Sequence, residues 1–100
     1  MMNIIWCDSF HNERYDARAS TADPTFGTVH FKVIDRDDGG QPVVIGTVRR
    51  DGCANADMFT PNDGVQLHWC DLQQYAAFSE ALGWAVKTAM ETAAKGPHLV

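Results

Sequence analysis

Four side chains with metal-binding chemistry sit in two close pairs, Cys7 with His11 and His68 with Cys70. Thiolates and imidazoles are ligands that zinc favours, and a closed structural site needs four of them. Two neighbouring strands carrying these pairs would complete such a set. The spacing matches no finger, ribbon or knuckle, however, and the chain contains no CxxC. The plainer reading has more weight: two small, partly buried cysteines, two solvated histidines, and no cofactor.

Other chemistry is weaker still. Cys53 lies in a Gly- and Asn-containing segment, but a useful thiolate needs a base or cation beside it, and nothing in the sequence brings one near. Asp35, Asp37 and Asp38 crowd a Gly-Gly turn, where aspartate is favoured for backbone reasons. They lack the regular oxygen ligands and terminal glutamate of a calcium loop. The glycines of that turn join two strands and precede no helix, so they cannot cradle a phosphate.

The residue that stands out is Trp84. At about 100° per residue, Tyr75, Phe78, Leu82, Ala85, Val86, Ala89 and Ala93 gather on one side of a long C-terminal helix. Gln73, Glu80, Lys87 and Glu91 fall on the other side, and Trp84 falls among them. A large ring in a charged face reads as an aromatic anchor in a polar rim. The alternative is cover by the Asp8–Thr25 segment, which would make the ring part of the core.

The elements that must position these residues follow from periodicity. Ile4 to Cys7 reads as a short strand. The Asp8–Thr25 segment is polar and mixed, and Phe10 and Tyr15 share no helical stripe. Thr28 to Asp35 alternates, with Val29, Phe31 and Val33 on one face. The turn at Asp35–Pro42 leads into Val43–Arg50, where Val44, Gly46 and Val48 share a face. Cys53 to Asp63 reads as a loop and Val65 to Cys70 as another alternating strand. Asp71 then caps a helix that runs to about Lys95 and stops at Gly96-Pro97. The expected fold is α+β and two-layered: an antiparallel sheet of about four strands with the C-terminal helix across one face. Residues 1–100 form a single domain in this reading. The far side of the sheet would show Ile5, Ile34, Val43 and Ile45 beside His30, Lys32, Thr47 and His68, too apolar to lie bare.

Composition limits the function classes. A net charge of -5 with eight Lys and Arg argues against a general nucleic-acid binder, which needs a basic footprint. The N-terminal residues lack the basic region of a signal peptide, and no apolar run approaches the roughly 20 residues of a membrane span. Three cysteines point to a reducing compartment, the cytoplasm. The expectation is a small acidic binding module without catalysis. It would meet a protein with a basic surface through Trp84, Glu80, Lys87 and Glu91, or through the turn aspartates Asp35, Asp37 and Asp38. By type alone, and on no particular residue, such chains are common among phage and mobile-element inhibitors of host machinery, anti-CRISPR proteins included. A structural homodimer is the alternative, followed by a small zinc- or thiol-dependent protein.

Overall fold

A computed structural model describes residues 4–58 and 72–96. Five strands form one antiparallel meander in the order β1-β2-β3-β4-β5: Trp6–His11, Tyr15–Thr21, Thr28–Asp35, Gln41–Arg49 and Ala54–Met58. Among the described residues one α-helix, α1 (Leu72–Lys95), packs across one face, chiefly over β2 and β3. The α+β, two-layer expectation holds, with five strands in place of four. The expected strand at Val65–Cys70 lies outside the described residues. No helix among the described residues is long and apolar enough to cross a membrane.

Two of the five strands lie where the sequence predicts none. The Asp8–Thr25 segment supplies most of β1 and all of β2, and the expected loop after Cys53 contains β5. In β2 the side chains alternate as a strand must: Tyr15, Ala17, Ala19 and Thr21 are buried, while Asp16, Arg18 and Ser20 are not. Its inner face carries alanine, a poor strand former, which hides the pattern. The helix face explains the choice. Ala77, Ala81, Ala85, Ala89 and Ala93 recur every fourth residue and are all buried in the same core as Ala17 and Ala19. Small residues on both layers let the helix backbone lie close to the sheet.

Phe31 fills the space beside that approach. Its ring lies over Gly46, its register partner on β4, and a methyl group built on Gly46 would collide with the ring. The same methyl would come within 2.8 Å of the Asn55 carbonyl oxygen on β5. Next along β4, the register slips between Val33 and Ile34, so that Val44 pairs Val33 and Pro42 pairs Ile34. This bulge leaves Val43 over and turns it inward, where it is 2% exposed. The expectation that Val43 lies on the outer face is thereby corrected.

The turns are built from aspartates and one asparagine. Asn12 Oδ1 accepts from the backbone N–H groups of Arg14 and Tyr15 at 3.1 and 2.9 Å, closing the β1–β2 hairpin. Its Nδ2 donates to the Ala77 carbonyl at 2.9 Å and to Glu80 Oε1 at 3.0 Å, so one side chain also ties that hairpin to α1. Asp23 organises the β2–β3 turn, accepting from Thr25 N and Oγ1 at 2.9 and 2.8 Å and from Gly27 N at 3.1 Å. It thereby holds Phe26 in the left-handed region at φ 57°. Asp51 accepts from Cys53 N at 2.9 Å in the β4–β5 turn. At the helix end, Gly96 has φ 68°, the expected glycine terminator. Arg50 Nε donates to the Ala93 carbonyl at 2.9 Å, placing a cation where the helix dipole favours one.

Two expected outcomes follow. Gly46→Ala destabilises the fold by about 2–3 kcal/mol, the scale of overpacking in a filled core, read as a shift of the urea midpoint at unchanged slope. A midpoint equal to wild type would show that the Phe31 ring moves aside freely. The second outcome concerns pH. Hydrogen bonds from the Thr25 backbone, then the Thr25 hydroxyl, hold the Asp23 carboxyl below its ordinary value. The Cys53 backbone N–H does the same for Asp51. A depressed carboxyl stabilises the fold fully above its unfolded value, and that contribution is lost as pH falls through the folded value. Melting temperature therefore falls below the ordinary carboxylate range, about pH 4, and Asp23→Asn flattens the fall. Identical acid slopes for the two proteins would remove Asp23 from this role.

Candidate functional site

Trp84, expected on the water-facing side of α1, is half-buried. Its ring stacks on Phe10 of β1, with centroids 5.7 Å apart and planes at 21°. The helical spacing places the ring on the flank of α1 as expected, and β1 reaches beneath that flank. Glu80 is exposed, with its carboxylate engaged by Asn12 at 3.0 Å. Lys87 and Glu91 are exposed on the outer side of the helix. The proposed anchor is thus covered from below by the chain's own hairpin, the alternative weighed at the outset.

The acidic turn divides in two. Asp35 is 3% exposed and forms a two-point ion pair with Arg14: Nε to Oδ1 at 3.0 Å and Nη2 to Oδ2 at 2.8 Å. It also caps the single 3-10 turn Arg36–Asp38 by accepting from Asp37 N at 3.0 Å. The bond to Asp35 is the main reason the Arg14 guanidinium is held above its already high ordinary value. Asp35 is therefore buried and paired within the fold, not free at the turn's tip as expected. Asp37 is exposed, and Asp38 lies in the same 3-10 turn. Arg36 bonds Asp16 Oδ1 at 2.6 Å and the Asn12 carbonyl, latching this turn to the first hairpin.

The metal reading fares worse on geometry. Cys7 and His11 are both exposed on β1, which is extended. Four residues along a strand span about 13 Å, whereas two ligands of one zinc ion lie within roughly 4 Å of each other. The pair cannot meet at one ion. His68 and Cys70 lie outside the described residues, and no group of three His, Cys, Asp or Glu gathers among the described ones. Cys53 is exposed in the β4–β5 turn beside the Asp51 carboxylate, a neighbour that does nothing to promote a thiolate.

A different surface emerges from the strand register. The face of the sheet away from α1 carries its residues in rows across the strands. One row runs Cys7, Ser20, His30, Thr47 and Asn55; the next runs Ser9, Arg18, Lys32 and Ile45. Arg18 and Lys32 therefore stand directly opposite on β2 and β3, and neither side chain forms an ion pair or hydrogen bond among the described residues. Around them, Ile4, Arg18, Ser20, His30, Phe31, Lys32 and Ile45 line an open depression of about 230 Å³. Ile4 is 61% and Ile45 42% exposed. His30 meets the Thr47 hydroxyl at 3.3 Å, across the β3–β4 pair.

Lys32, His30 and Ile45 are legible in the sequence as an outer face. Arg18 is not, because β2 is not. The signal for it is the buried alternation of Tyr15, Ala17, Ala19 and Thr21, which puts Arg18 on the opposite side. The stack beneath Trp84 makes its own expectation. Trp84→Ala removes the upper ring of a half-buried aromatic pair and costs about 2 kcal/mol of stability in chemical denaturation. Unchanged stability would mean the ring contributes nothing to the fold and is free for another role.

Comparison with protein-family models, with curated proteins and with solved structures finds no match for this chain.

Proposed function

We propose that this chain is a non-enzymatic binding module whose contact surface is the outer face of its sheet. The observation that carries this reading is the Arg18–Lys32 couple, without a side-chain partner among the described residues, beside exposed Ile4 and Ile45 on that face. Like charges placed directly opposite on neighbouring strands destabilise a sheet, so the arrangement needs another explanation than stability. Exposed apolar residues beside fixed charges have the composition of a contact patch with a polar surround. The other two candidate surfaces lose support from their own contacts: Trp84 stacks on Phe10, and Asp35 is held by Arg14.

The charge of the partner reverses with the surface. A net charge of -5 suggests a basic partner, but the depression on the outer face is lined by the cations Arg18 and Lys32. Complementary potential therefore favours an acidic partner surface.

The test is capture from a lysate of the source organism on immobilised protein, in parallel with Ile45→Asp and Trp84→Ala. The reading expects a captured protein that Ile45→Asp loses and folded Trp84→Ala retains. A captured protein that survives Ile45→Asp and disappears with Trp84→Ala would return the interface to the helix.

A further inference from the structure

We infer that the outer face binds an extended acidic segment of another protein, with a carboxylate side chain seated between Arg18 and Lys32 and an apolar side chain two residues away on Ile45. This inference rests on the binding role proposed above and assigns its ligand. The register sets the geometry. Arg18, Lys32 and Ile45 are consecutive members of one row, on β2, β3 and β4. Neighbouring strands lie about 4.8 Å apart, so the midpoint between the two cations is roughly 7 Å from Ile45 along the row. An extended chain places side chains i and i+2 on one side, about 6.7 Å apart. A segment crossing the strands with the pattern acidic-x-apolar therefore matches both points at once.

The chemistry agrees with the spacing. Arg18 supplies a planar fork and Lys32 a point charge, and a carboxylate between them makes charge-assisted hydrogen bonds to both. Filling that place also relieves the like-charge opposition of the empty pair. Ser20 and His30 sit on the adjacent row and line the same depression, adding a hydroxyl and an imidazole at its wall. Ile4 and Ile45 give the depression an apolar rim that a bare inorganic anion would leave unused.

A nucleic acid fits the same cations less well. Single strands are held by aromatic rings on which bases stack and by a basic track along the backbone. The outer-face positions in the strand register carry no Phe, Tyr or Trp. Of the other arginines near the sheet, Arg36 is paired to Asp16 and Arg49 to Asp51. The remaining cations form one seat, not a track, on a chain whose net charge of -5 repels a polyanion.

The test is an NMR titration of the full chain with four probes at low and moderate salt. They are a capped ten-residue peptide containing Glu-x-Leu, the same peptide with Lys for Glu, the same peptide with Glu and Leu adjacent, and a ten-nucleotide thymidine strand. The Glu-x-Leu peptide is expected to shift the amides of Ser20, His30, Lys32 and Ile45. Its affinity should fall roughly tenfold in Arg18→Gln and again in Lys32→Gln, and fall with added salt. Both variants are expected to keep a dispersed spectrum and wild-type or higher melting temperature, because each removes one of two opposed like charges. Equal binding of the Lys peptide, tighter binding of the thymidine strand, or shifts confined to other residues would each overturn the assignment. A titration that fails while a captured protein is still lost on Ile45→Asp overturns the acidic segment and leaves the binding face standing. Failure of both removes the face itself.

Discussion

The close approach of α1 to the sheet sets the terms for everything else in this molecule. Five alanines, Ala77 to Ala93 at every fourth position, are buried in one core with Ala17 and Ala19 of β2. With so little side-chain volume on the helix, bulk must come from the sheet's Val29, Val33, Val43 and Val44 and from aromatic rings. Tyr15 and Phe78 meet edge-to-face with centroids 5.5 Å apart, and Phe31 spreads over the surface that Gly46 leaves free. Phe10 and Trp84 close the β1 side. Dense packing of small helix residues against valines and rings fixes the helix in one place, because neither layer has room for another.

That constraint also explains what the sequence conceals. β3 and β4 are plain in the sequence because their buried faces are built of Val and Phe, residues that suit a half-buried pleat. The helix is plain from its length and its apolar stripe. β2 carries alanine on the face it turns to the helix, and β5 reads Ala-Asn-Ala-Asp-Met, so propensity points away from both strands. The inward turn of Val43 depends on a one-residue slip in pairing, and no local pattern encodes a slip. Trp84 is the instructive case. Helical periodicity puts it on the right flank, but its cover comes from Phe10, 74 positions away in the chain, on a strand the pattern does not announce.

The site was legible to the extent that its strands were. His30, Lys32 and Ile45 belong to the hairpin that alternation identifies, and all three stand on its outer face. Arg18 completes the cationic pair only once β2 is in place beside β3. A charge pair across two strands is a property of register, and register is not visible until both strands are.

Net charge misleads here for a physical reason. The chain has 13 Asp and Glu against eight Lys and Arg, and that excess invites the idea of an acidic contact surface. Three of the aspartates are engaged in turns instead. Asp23 accepts three hydrogen bonds in the β2–β3 turn, Asp35 caps the 3-10 turn and pairs Arg14, and Asp51 holds the β4–β5 turn while meeting Arg49 at 2.7 Å. A carboxylate that closes a backbone turn has its lone pairs aimed into the chain, so its charge adds to the total without forming a docking site. The basic residues are sorted the same way: Arg14, Arg36, Arg49 and Arg50 all satisfy carboxylates or carbonyls of the fold. On the outer face of the sheet, what the fold leaves over is Arg18 and Lys32, opposite each other with no side-chain partner among the described residues. The sign of that remainder, not the sign of the whole chain, is what a partner approaching this face meets at contact distance, where charges within a Debye length dominate.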